Sequence, residues 1–156
     1  MMQPDPSPVT PQAPETFLVE LNIPSDMDLI DLVVDLGTSM ISLKGFSDDD
    51  VSAIRFAIHE TLVNAIQYGN QGLIDARITV RFYLKGDCFY TDIEDEGSGF
   101  DPDALANPTL PENLLKATGR GIFLVRSMTE DFKVEKTPGK GVRVTFCRLK
   151  RQQPVE

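Results

Sequence analysis

Histidine and cysteine are scarce in this chain: it has one histidine, His59, and two cysteines, Cys88 and Cys147. No CxxC pair exists, so the ligands for a zinc site are missing. Each cysteine lies in an apolar, strand-like stretch and reads as a reduced structural thiol. Basic residues are also few. Lys and Arg total 15 against 24 acidic residues, for a net charge of −9, and no long basic run occurs. An electrostatic grip on nucleic acid or on an anionic membrane is therefore not expected. No apolar run approaches the ~20 residues of a membrane helix. The N-terminus lacks a basic segment followed by an apolar one, so no signal peptide is read. A soluble, cytoplasmic protein is expected, and its acidity suits a basic partner.

What remains is a chain of 156 residues, 41% of them hydrophobic, which suits one domain. At that length roughly 70% of the unfolded surface can be buried. Residues 1–15 carry five prolines and little apolar surface, and are expected to form a disordered tail. The folded domain is expected over 16–149, with a short C-terminal tail over 150–156.

Phe17–Ile23 alternates apolar and polar residues and predicts a strand. Pro24 ends it, and Ser25 or Asp26 can cap a helix to about Ser42. The apolar positions Leu29, Leu32, Val33, Leu36 and Met40 are its expected inner face. Ser47-Asp48-Asp49-Asp50 is a strong helix start, because a serine cap and three acids suit the positive end of the helix dipole. That helix is expected to run to about Tyr68, closed by Gly69-Asn70. Ala76–Leu84 and Cys88–Ile93 flank Lys85-Gly86-Asp87 as a hairpin. Residues 100–118 have little periodicity and read as a loop or lid. Gly119-Arg120-Gly121 is expected to open a helix over Ile122–Thr129, with Phe123, Leu124, Val125 and Met128 as its core face. A last hairpin, Phe132–Lys136 and Gly141–Leu149, follows. Strands in antiparallel pairs with segregated helices predict an α+β two-layer sandwich, helices on one face of a mixed, mainly antiparallel sheet.

Three short stretches can carry chemistry. Glu60 and Asn64 stand four apart and share one helix face. Alone, they are better explained as a solvated helix edge. Asp95-Glu96-Gly97-Ser98-Gly99 follows a strand, where glycines allow close backbone approach and a carboxylate can accept from an amino group. Gly119-Arg120-Gly121 at a helix entrance can present N–H groups to phosphate. Neither GxxxxGK[ST] nor GxGxxG occurs, so a P-loop or a Rossmann crevice is ruled out.

In combination, ExxxN on a helix, strand-DxGxG, loop and GxG-helix resemble the Bergerat ATP-binding fold. That superfamily includes gyrase, the Hsp90 chaperones, histidine kinases and MutL-type ATPases. Residues 56–70, 95–102 and 119–128 are most similar to the anti-sigma-factor serine kinases of bacterial partner-switching systems. The resemblance implies a site for ATP and Mg²⁺. In it, Glu60 is the general base and Asn64 the Mg²⁺ ligand. Asp95 reads the adenine amino group, while Gly97 and Gly99 pass close to base and ribose. Gly119, Arg120 and Gly121 form the phosphate-side hinge, and Thr145 supports the adenine end. It further implies a homodimer that phosphorylates a serine on a STAS-type anti-anti-sigma antagonist and also binds a sigma factor. A nucleotide-gated binding module without transfer is the alternative, and a detached kinase domain serving a separate phosphoacceptor is a third. The chain departs from its relatives at Tyr68, where they often carry histidine. It departs again at Gly139-Lys140-Gly141-Val142, where they carry Gly-Thr. It has no helix bearing a phosphoacceptor histidine, and His59 beside Glu60 is read as structural or solvent-facing.

Overall fold

Alternation does place a strand at the start of the domain. In the computed structural model, which describes residues 15–97, 117–139 and 141–151, β1 spans Glu15–Pro24. The Pro-rich tail of residues 1–14, the loop of 98–116 and residues 152–156 lie outside the described residues. Asp26 then caps a single 3-10 turn, its Oδ1 accepting from the Asp28 N–H at 2.9 Å, and α1 runs over Ile30–Leu43. The buried face of α1 is Ile30, Val33, Val34, Gly37 and Ile41. This face is rotated from the expected one: Leu32 is exposed, and Leu29, Leu36 and Met40 are only half-buried. The absence of a side chain at Gly37 lets Ile58 and Phe82 close on this face, which the spacing of apolar residues does not reveal.

Helix α2, Asp48–Asn64, starts as expected, with Ser47 Oγ accepting from the Asp50 N–H and Asp50 Oδ2 accepting from the Ser47 N–H. Asp50 has a second task. Its Oδ1 takes the Arg148 Nε–H at 2.6 Å, and the two side chains are only 5% and 14% exposed. Arg148 also donates to the Met128 carbonyl. One guanidinium thus joins the start of α2, the last strand and the end of the third helix. Burial pushes the Asp50 carboxyl upward, but the hydrogen bonds from Arg148 and Ser47 outweigh it and hold it below the usual carboxylate range. Asp50→Ala leaves Arg148 buried without its counter-charge and removes a cap. We expect it to destabilise the fold by about 3–5 kcal/mol, read as a lower urea midpoint at unchanged m-value.

After α2 the chain makes a π-turn, Ala65–Gly69, closed by the Asn70 N–H on the Ala65 carbonyl at 2.8 Å. Strands β2 (Arg77–Lys85) and β3 (Cys88–Asp95) form the expected hairpin, with Gly86 at positive φ in its turn. Helix α3 spans Ala117–Met128, and β4 (Glu130–Lys136) pairs with β5 (Val142–Leu149).

The sheet order is β1-β2-β3-β5-β4, and every pairing among the described strands is antiparallel. The parallel component of the expected mixed sheet does not arise. The β3–α3–β4 connection does run β4 in the direction of β3, but β5 folds back between them, so they are not neighbours.

Helices cover one sheet face. Ile78, Val80, Phe82, Phe89, Ile93, Val144 and Phe146 pack against Val33, Ile41, Ile54, Ile58, Leu62 and Val125. Phe123 and Leu124 of α3 are exposed, contrary to expectation, because Ile122 and Val125 occupy its inward face. Phe46 belongs to the core, whereas Leu73 and Ile74 are exposed. The open sheet face is polar. Arg81 bridges Glu20 and Glu94, and Arg143 reaches Glu94. Cys88 and Cys147 are both free thiols on this face. Burial and the neighbouring Cys88 push the Cys147 thiol up to about 12, which keeps it unreactive.

Candidate functional site

The end of α2 and its π-turn bring the first two motifs together. Glu60 and Asn64 sit one helical turn apart, with Glu60 31% exposed and Asn64 buried. The Asn64 Nδ2 has no hydrogen-bond partner, which is costly for a buried donor and marks a group waiting for an acceptor. The π-turn that follows, a distortion frequent at functional sites, carries Gly69 against the end of β3. There a Cβ on Gly69 would overlap Asp95 Oδ2, and one on Gly97 would overlap the Gly69 carbonyl. A Cβ on Gly141 would overlap the Asp95 carbonyl. Three glycines thus line the backbone around one carboxylate.

Asp95 is 5% exposed. Its Oδ1 accepts from the Gly97 N–H at 3.1 Å and the Val142 N–H at 3.3 Å. Burial raises its pKa to about 6, and those two N–H groups pull the other way without cancelling it. A carboxylate tuned this way at a strand end, walled by glycines, has the character of a recognition group rather than of a structural ion pair.

Asn70 locks the arrangement, although its sequence setting points only to helix closure. Its Oδ1 accepts from the Glu96 N–H at 2.9 Å, and its Nδ2 donates to Ser25 Oγ at 2.5 Å and the Arg77 carbonyl at 3.1 Å. Glu96 accepts in turn from the Arg77 N–H at 3.0 Å. Gly69 and Gly141 likewise read locally as turn residues and no more. A polar residue directly after a helix-closing glycine is the available signal.

The third motif meets the first. A Cβ on Gly121 would overlap Glu60 Oε2, so α3 approaches α2 at this carboxylate. Here one expectation needs correction. Helix α3 begins at Ala117, so Gly119, Arg120 and Gly121 lie inside it rather than ahead of it. An interior glycine costs ~1 kcal/mol relative to alanine, and at Gly121 the close approach of Glu60 explains it. Arg120 is exposed. Gly99 lies outside the described residues.

Thr145 is not brought to this site. It sits opposite Asp92 in the β3–β5 register, and its hydroxyl donates to Asp92 Oδ1 at 2.9 Å. Asp92 and Asp95 are three apart on one strand and point to opposite faces. Thr145 therefore serves the open face, together with Tyr83, whose hydroxyl also bonds Asp92.

Residues 23–147 match the model of the histidine kinase-like ATPase domain. The chain belongs to that family. This histidine kinase-like ATPase domain is 24% identical over 133 residues to serine-protein kinase RsbW of Bacillus velezensis, covering 81% of this chain and 83% of the relative. It is 26% identical over 152 residues to serine-protein kinase RsbW of Staphylococcus aureus, covering 90% and 92%. Among solved structures it is similar to the SiaB–SiaC complex of Pseudomonas aeruginosa, with a TM-score of 0.64 and 14% identity over 84% of this chain and 89% of that one. It is also similar to the RsbU and RsbW domains of a Mycobacterium tuberculosis protein, with a TM-score of 0.60 and 18% identity over 86% of this chain and 34% of that longer one. The α+β sandwich and the resemblance to anti-sigma-factor serine kinases are thereby borne out. In this ATPase domain Gly121 of the GxG segment meets Glu60 of the ExxxN segment, and Gly69 meets Asp95.

The site predicts its own sensitivity. Gly69→Ala drives a methyl group into Asp95. We expect at least a tenfold rise in the ATP dissociation constant and a loss of about 1–3 kcal/mol of stability. Titration calorimetry and urea unfolding of the same preparation read the two effects separately.

Proposed function

We propose that this chain is an ATP-dependent serine/threonine protein kinase acting as an anti-sigma factor in a partner-switching system. It phosphorylates a serine on a STAS-type antagonist and binds a sigma factor in the alternate state. The observation that carries this reading is that one continuous segment, α2 with its π-turn, carries Glu60 and Asn64 and packs Gly69 against Asp95 of β3, while α3 closes on Glu60 through Gly121.

The residues present fit a magnesium nucleotide. The buried amide of Asn64, its Nδ2 unpartnered, offers a hard oxygen to Mg²⁺ and a donor to phosphate. Among the described residues no three of His, Cys, Asp and Glu gather as a metal cluster. Oxygen from phosphates and water would complete the coordination, as is usual for Mg²⁺. The Asp95 carboxylate accepts from the adenine amino group, and the glycines at 69, 97 and 141 let the backbone close tightly around that carboxylate. When bound, Mg²⁺-ATP supplies the phosphoryl group and neutralises charge developing on it. Glu60 accepts the proton of the attacking serine hydroxyl, and the absence of a side chain at Gly121 leaves its carboxylate room to sit there. Arg120, exposed beside Gly121, serves the phosphate side, with Gly119 and Gly99 as backbone contributors.

We further assign a homodimer and a cytoplasmic location. Among the described residues no helix is long and apolar enough to cross a membrane. The curated relatives RsbW are named serine-protein kinases, in support of the activity.

Incubation with γ-labelled ATP, Mg²⁺ and candidate STAS-type proteins tests this function. Acid-stable label on a partner serine is the expected result. Tight ATP binding without transfer to any partner would instead establish a nucleotide-gated binding module, and acid-labile label a histidine phosphoacceptor.

A further inference from the structure

The two carboxylate oxygens of Glu60 face different neighbours. Oε2 lies against Gly121 of α3. Oε1 lies 3.8 Å from Nδ1 of His59, the chain's single histidine. Adjacent residues on a helix ordinarily diverge, so this approach is made by the side chains and not imposed by the backbone. The spacing is too long for a hydrogen bond but short enough for a small rotation to close it. His59 is 49% exposed and so connects Oε1 to bulk water. Of the neighbouring cations, Arg55 is one turn earlier on α2 and is engaged by Asp35 and Thr38 of α1. Arg120 is next to Gly121 on α3, while Gly121 itself offers no side chain to accept a proton.

We infer that His59 is the outlet for the proton that Glu60 takes up, a positioning and relay residue acting through Glu60 rather than on the substrate. This deepens, and rests on, the reading of Glu60 as general base. The step balances without any further reactant. The attacking hydroxyl loses its proton to the Glu60 carboxylate. The resulting carboxylic O–H at Oε1 passes that proton to the unprotonated Nδ1 of a neutral imidazole. The imidazolium releases its Nε2 proton to water, and exchange of the exposed ring with water then moves the remaining proton from Nδ1 back to Nε2, which restores both groups.

The test uses the full chain with Mg²⁺-ATP and water as the phosphoryl acceptor, so no partner is required. His59→Ala is expected to slow ATP turnover about tenfold, at the modest end of general-base effects, with ATP affinity and melting temperature unchanged. Free imidazole in the tens of millimolar range, an amount set by weak occupancy of an open surface notch, is expected to restore most of the rate. It should not accelerate the native chain. His59→Asn keeps a polar group near Oε1 but cannot carry a proton, and is expected to stay slow. Full activity in His59→Ala, no response to imidazole, or recovery in His59→Asn would overturn the inference. Unchanged turnover in Glu60→Gln would overturn the underlying reading of Glu60 instead, which separates the two failures.

Discussion

Glu60→Gln lowers phosphoryl transfer to the partner serine by about 10²–10⁴-fold, the usual contribution of a positioned general base. The substitution keeps the shape of the side chain, so the contact with Gly121 persists and the fold is retained. What disappears is a carboxylate able to accept the hydroxyl proton. ATP affinity should change less than threefold, because the groups assigned to adenine and metal lie elsewhere, at Asp95 and Asn64. The result is a fall in kcat at nearly constant nucleotide affinity, read by single-turnover transfer alongside titration calorimetry. A variant that transfers at the native rate would remove Glu60 from the chemistry.

Asp95→Asn separates binding from stability. An amide at this position would present a donor where the adenine amino group needs an acceptor. Leaving such a polar pair mismatched in a buried site is expected to raise the ATP dissociation constant by at least a hundredfold. The nucleotide-free fold should respond in the opposite sense. The Asp95 carboxyl titrates at about 6 in the folded chain against an ordinary value of 3.8. The folded state therefore binds more protons than the unfolded state between those values. Stability falls as pH rises through that window, and the full cost is present above pH 6. The neutral amide of Asp95→Asn carries no such cost, and its oxygen can still accept from the Gly97 and Val142 N–H groups. The variant should match or exceed the native chain in stability at pH 7.5, by about 1 kcal/mol at most after solvent screening. By the same sign, ATP binding to the native chain should weaken as pH drops below about 6 and the carboxyl becomes neutral. Thermal melts and calorimetry at pH 5.5 and 7.5 report both effects.

Much of this arrangement is legible in residue order, and the reasons that the rest is not are physical. Local signals suffice where one residue decides the geometry. Ser47 caps α2 through bonds within four residues, and Gly86 turns the β2–β3 hairpin. Local signals fail where phase or distant contacts decide. The close approach of Ile58 and Phe82 to Gly37 selects the buried face of α1. The burial of Ile122 and Val125 turns Phe123 and Leu124 outward. In the proposed site, Glu60, Asn64 and Asp95 are legible only through the combined order of three motifs, none of them specific alone. Gly69, Asn70 and Gly141 are not. Their importance comes from approaches to Asp95, Glu96 and Ser25, partners at least 26 positions away in the chain, which no local pattern encodes. Thr145 misleads for a related reason, since a residue's face in a sheet depends on strand register, and register assigns it to Asp92.

A crystal structure of the full chain with a non-hydrolysable ATP analogue and Mg²⁺ decides whether the three motifs form one nucleotide site. The expected complex has the adenine amino group on the Asp95 carboxylate, the Asn64 amide at the metal, and the terminal phosphate beside Glu60. A nucleotide bound away from the glycine-walled carboxylate, or an Asn64 side chain that touches neither metal nor phosphate, would contradict it.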